Sequence, residues 1–129
     1  MTNRSMQTPL GRVRGLGSAK EGVDHWWLQR LTAAAQVPLV LWFIISLASM
    51  AGASHDEVVA WLSHPVVTVL TVLLMFSLYY HAKLGLQVVI EDYISGEGVK
   101  LVTLTAMKFG LILFGTATIF SVLKIAFGG

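Results

Sequence analysis

Three apolar runs, each long enough to cross a bilayer and separated by short polar connections, limit this chain more than any other feature. They cover residues 31–50, 65–90 and 101–127. A backbone in hydrocarbon must satisfy its own amides, so runs of ~20 apolar residues are expected as transmembrane helices. Only 12% of the 129 residues are charged, where soluble domains carry about a quarter. The mean hydropathy is +0.71. The expected fold is an all-α membrane protein with three transmembrane helices, up-down-up, forming a helix bundle with a partner subunit. With no cysteine, a disulfide, a thiolate metal site and an iron–sulfur cluster in this chain are excluded. No nucleic-acid partner is expected.

Residues 1–30 read as an N-terminal arm followed by an interfacial segment. Ser18 to Glu21 has capping-box spacing for a helix start. Trp26 and Trp27 suit the headgroup layer, where an indole buries its rings and keeps its N–H wet. The first apolar run is too long for a cleaved leader and is expected to stay as an anchor. Pro38 lies inside it, where a kink is expected. Pro65 opens the second run at a favourable first-turn position. Arg4, Arg12, Arg14, Lys20 and Arg30 precede the first span; the first connection has no Lys or Arg, the second has Lys100, and Lys124 lies near the end. The positive-inside rule then puts the N-terminus in the cytoplasm.

The second span carries the chemistry. An ionisable group inside a bilayer costs several kcal/mol, about 2.5–3.5 for a central lysine, and is a functional suspect by default. His81 and Lys83 are such groups, and Glu91, Asp92 and Tyr93 end the span. Neutral imidazole is a good iron ligand. His81 and Asp92 are eleven residues apart, which at ~100° per residue returns them to within about 20° of one face. Gly85 stands one turn from His81 and would let a flat macrocycle approach the backbone. The bland reading makes His81 interhelical glue and Asp92 and Tyr93 an interfacial terminus. Lys83 and Lys108 read as ion-pairing or snorkelling groups. Gly110, Gly115, Thr116 and Ala117 read as a close-packing face, and His25, His55 and His64 as surface groups. With one deep histidine, a bis-histidine haem needs its second ligand from another chain.

The run His81-Ala82-Lys83-Leu84-Gly85, continuing to Asp92-Tyr93, resembles the signature of the small hydrophobic membrane anchor subunit of succinate dehydrogenase. Gly22 to Ala33, ending Arg30-Leu31-Thr32-Ala33, is similar to that family's pre-helix segment. The resemblance implies a haem b whose iron takes His81 on one face and a partner histidine on the other. It implies that Gly85 makes room for the porphyrin and Arg30 neutralises a propionate. It places Tyr93 and Asp92 at a ubiquinone, the phenol donating to a carbonyl. The implied partners are a second membrane anchor subunit of cytochrome b type, an iron–sulfur subunit, a flavoprotein subunit and membrane lipid. The implied location is a bacterial inner membrane, or the mitochondrial one. Succinate oxidation itself would belong to the other subunits. A fumarate reductase anchor would look the same. The other classes to weigh are a cofactor-free structural or assembly protein and a small transporter. The transporter needs polar stripes on all three spans, and the first offers little beyond Gln36.

Overall fold

In the computed structural model, residues 8–15 and 22–128 are described. They form α1 (Pro9–Val13), α2 (Gly22–Ser49), α3 (His55–Leu62), α4 (Pro65–Tyr93) and α5 (Glu97–Ala126). The capping box expected at Ser18–Glu21 lies outside the described residues. Helices α2, α4 and α5 are long and apolar enough to cross a membrane. With 28, 29 and 30 residues they reach about 42–45 Å at ~1.5 Å per residue, well beyond a ~30 Å hydrocarbon core. Each must therefore tilt or extend into the headgroup layers. Helix α2 starts well ahead of its apolar run, taking in Asp24, His25, Trp26 and Trp27.

The three long helices form a row. Helix α4 packs against α2 on one flank and α5 on the other, and α2 and α5 do not meet. Close packing in a membrane relies on small side chains and interhelical hydrogen bonds rather than on apolar burial. The α2–α4 seam shows both. Gln36 Nε2 donates to the Ser77 carbonyl (3.1 Å), and Ser77 Oγ donates to the Thr32 carbonyl (3.2 Å). On the α4–α5 seam the Tyr79 phenol meets Thr118 Oγ1 at 3.0 Å. Thr118 gives its own proton to the Phe114 carbonyl, so Tyr79 is the donor. The Tyr79 ring also lies where a Cβ on Gly115 would come within 3.2 Å. Of the four residues expected as a close-packing face, Gly115 alone is buried.

Little of the chain is buried by itself. Among the described residues the core is Leu74, Leu84 and Val122, with Thr68, Thr71 and Ser77 beside them. Helix α2 buries no residue. Apolar surface left open on this scale is stable only against lipid or partner helices.

The first connection is not a plain loop. It contains α3, started by a capping box in which Glu57 N–H donates to Ser54 Oγ and Ser54 N–H donates to the Glu57 carboxylate. Trp61 of α3 stacks on Trp42 of α2 at 6.2 Å, and Ser63 Oγ reaches the Ile125 carbonyl of α5. The Ser54 backbone amide, then its hydroxyl, holds the Glu57 carboxyl below the ordinary glutamate range. A lowered carboxyl pKa supports the native state fully above the unfolded-state value, and that support fades as pH falls through the folded-state value. The α3 cap should therefore loosen only in acid. In a carbon-NMR titration, Ser54→Ala, which keeps the backbone amide and removes the hydroxyl, should raise the Glu57 midpoint in part; an unmoved midpoint would rule the hydroxyl out as a cause.

Candidate functional site

The α2–α4 seam positions His81. The ring is half-buried, and its Nδ1 lies 3.0 Å from Thr32 Oγ1 and 3.2 Å from the Gln29 carbonyl. The proton can be placed by elimination. Thr32 Oγ1 lies 2.7 Å from the Leu28 carbonyl and 3.0 Å from that of Gln29, so its proton is committed to the backbone of its own helix. The hydroxyl oxygen is then an acceptor toward the imidazole, and a carbonyl can only accept. Both contacts require hydrogen on Nδ1. The neutral ring thus keeps its lone pair on Nε2, which has no hydrogen-bond partner among the described residues. This is the tautomer that a metal-ligating histidine needs, with its second N–H anchored to a carbonyl.

His81 opens onto a furrow of about 400 Å³ along α2, lined by Ala33, Gln36, Val37, Val40 and Leu41. Arg30 continues the stripe Ala33–Val37–Leu41 at i, i+3, i+7 and i+11 and so stands at its end. The guanidinium rests over the Trp26 ring at 4.3 Å, outside the furrow itself. Around Gly85, no neighbouring atom among the described residues lies within 4 Å of where a Cβ would be, so none of them demands a glycine there. Among the described residues no three His, Cys, Asp or Glu side chains converge on a metal-sized site. A haem asks for less: one axial nitrogen from this chain, apolar walls and a cation at the rim. His81, the furrow and Arg30 fit that requirement, with half of the enclosure left to another chain.

Asp92 and Tyr93 form the last turn of α4. They stand roughly 16–18 Å from His81 along the axis at ~1.5 Å per residue. Asp92 shares the His81 face, and Tyr93 lies about 120° around from it. Both are exposed, Tyr93 at 84%, and neither has a hydrogen-bond partner among the described residues. The structure puts His81 and this pair on one rod but in separate places. Nearby, Gln87 donates to Glu91 across one turn at 2.8 Å.

This fold and these residues have relatives. The family model described as the succinate dehydrogenase/fumarate reductase transmembrane subunit matches residues 4–123. The chain belongs to this family. It is 34% identical over 86% of its length to the succinate dehydrogenase hydrophobic membrane anchor subunit of Rickettsia bellii, covering 89% of that protein. It is 30% identical to the anchor subunit so named in Paracoccus denitrificans, over 85% of each chain. The membrane anchor subunit of Reclinomonas americana is 30% identical over 69% of this chain and 77% of its own. No solved structure matches the chain.

Sequence reasoning missed two features of this membrane anchor. Thr32 was visible within the Arg30-Leu31-Thr32-Ala33 run, but nothing showed that its hydroxyl meets His81. His25, expected at the surface, is half-buried on the α2 stripe that continues through Gln29 and Thr32, and its Nε2 is shielded without a partner among the described residues.

Proposed function

We propose that this chain is the membrane anchor of a succinate:ubiquinone oxidoreductase, giving one axial ligand to haem b and part of the ubiquinone-reduction site. The observation that carries this reading is the contact of His81 Nδ1 with Thr32 Oγ1 and the Gln29 carbonyl of α2, which leaves the Nε2 edge without a partner among the described residues. Family membership supplies the context. Haem b, when bound, supplies a one-electron centre within the bundle. His81 would give the iron its nitrogen, while Thr32 and the Gln29 carbonyl keep that nitrogen basic and the ring plane set. Arg30, released from Trp26 by a small rotation, would face a propionate. Gly85 would leave the backbone open to the porphyrin edge. The second ligand would come from a second membrane anchor subunit of cytochrome b type.

Electrons from succinate would reach the quinone through the flavoprotein and iron–sulfur subunits. Reducing ubiquinone to the quinol takes two electrons and two protons. Tyr93 would donate its phenol hydrogen bond to one quinone carbonyl, holding the ring, and Asp92 would orient the site and pass protons from the aqueous edge. The basic arm before α2 supports a cytoplasmic N-terminus, and in that orientation Tyr93 would stand at the cytoplasmic boundary of a bacterial inner membrane. The chain itself would not oxidise succinate.

Purification of the tagged chain from mild-detergent membranes tests this function. A flavoprotein, an iron–sulfur protein and a b-type reduced-minus-oxidised band are expected to come with it. Recovery of the chain without any of the three would overturn the proposal.

A further inference from the structure

The α4–α5 seam holds a second furrow, of about 300 Å³, whose lining includes Phe76, Tyr80, Lys83, Lys108, Ile112 and Ile119. The site at His81 does not use it. The contact of Tyr79 with Gly115 and the short link between α4 and α5 set the antiparallel register, and they place Lys83 and Lys108 within about one turn of each other in depth. Two ammonium groups therefore share one wall-to-wall space inside the membrane.

Among the described residues no carboxylate pairs with either of them. The described acidic residues, Asp24, Asp56, Glu57, Glu91, Asp92 and Glu97, lie at helix ends or in connections. Among the described residues neither lysine forms an ion pair or a hydrogen bond. Lys83 Nζ has only the face of Tyr80, 5.5 Å from the ring centroid. None of the described residues supplies a counter-anion.

The furrow's shape indicates which anion. From the lysine pair it runs deeper through Ile112 to Ile119, about 16 Å beyond Lys108 at ~1.5 Å per residue, between apolar and aromatic walls. Its charged end is the shallower one. Helices of this length overhang a ~30 Å core by about 7 Å at each end. Lys108, eleven residues into α5, then has its Cα roughly 10 Å below the hydrocarbon boundary. Its side chain leans toward the start of its own helix, which carries the ammonium about a turn back toward the headgroups. Lys83 leans the other way, over Tyr80, and adds positive potential one turn further in. A charged mouth near the headgroups and a narrow apolar tail make the negative imprint of an anionic amphiphile.

We propose that this furrow binds one anionic phospholipid from the leaflet at the Tyr93–Glu97 end. Its phosphate meets Lys108, its glycerol esters face Lys83, and one acyl chain lies along Ile112 and Ile119. At about fivefold per lysine near an anionic lipid, the pair should favour anionic over zwitterionic lipid by about 25-fold.

The test uses the whole assembled complex, delipidated in detergent and titrated with phosphatidylglycerol or phosphatidylcholine while bound lipid is counted by native mass spectrometry. Wild type is expected to hold one tight phosphatidylglycerol with that preference, and Lys83→Gln with Lys108→Gln should bring the two lipids near parity. An unchanged preference in the double variant overturns the proposal. So does a carbodiimide cross-link from either lysine to a carboxylate of a partner subunit. Should the double variant fail to assemble, Ile112→Trp fills the furrow with both lysines in place; loss of the tight lipid supports the site, and its retention sinks it.

Discussion

His81→Ala should erase the b-type absorption of the assembled complex, or reduce it to a weak five-coordinate remnant. An alanine offers iron no nitrogen, and among the described residues no other imidazole opens onto the α2 furrow. Thr32 allows a graded companion experiment. Thr32→Val keeps the shape of the side chain but takes away the hydroxyl that accepts from Nδ1–H. The Gln29 carbonyl remains at 3.2 Å, so the tautomer should survive with a weaker anchor. Loss of a supporting partner of this kind typically costs about 10–100-fold in metal affinity or activity. We expect Thr32→Val to keep haem but shift its midpoint potential and raise its release rate, and Thr32→Ser to restore both. If His81→Ala leaves the spectrum intact, the ligand assignment falls. If His81→Ala removes the band while Thr32→Val changes neither readout, only the supporting role falls.

Tyr93→Phe should slow ubiquinone reduction by about 10–100-fold, while succinate oxidation with an artificial soluble acceptor stays at the wild-type rate. The estimate follows from removing one hydrogen bond worth roughly 1–3 kcal/mol to a group that must be held during reaction. The phenol is 84% exposed in the isolated chain and has no hydrogen-bond partner among the described residues, so the substitution should not disturb α4. Asp92→Asn keeps the size of the side chain and removes its charge. It should slow quinone reduction less at low pH, where protons are plentiful, than at high pH. Equal quinone rates in wild type and Tyr93→Phe would make Tyr93 a bystander.

The three spans could be read because hydrocarbon allows a long apolar run few alternatives, and α2, α4 and α5 lie over the runs beginning at Leu31, Pro65 and Leu101. Their ends could not be read as well. Asp24 to Trp27 and Glu97 to Lys100 are polar or mixed, yet they form the first turns of α2 and α5. The relation of His81 to Asp92 was legible because it lies within one helix, where spacing gives both angle and rise. The relation of His81 to Thr32 was not, because it depends on how α2 slides along α4. That register is set by Gln36 and Ser77, whose partners are backbone carbonyls and leave no trace in side-chain pattern. The S-x-x-E signal occurs twice, at Ser18 and at Ser54, and reading along the chain singled out the first while the second starts α3. Among the described residues nothing explains Gly85.

The row arrangement has a mechanical consequence. Among the described residues the outer helices make direct contact only with the middle one, α3 linking them at one end alone, and that middle helix bears both the imidazole and the phenol. Any torque on α4 swings those two groups together, like flags on one pole. A bulky residue at Gly115, pressing on Tyr79 from the α5 side, would be felt at both ends at once.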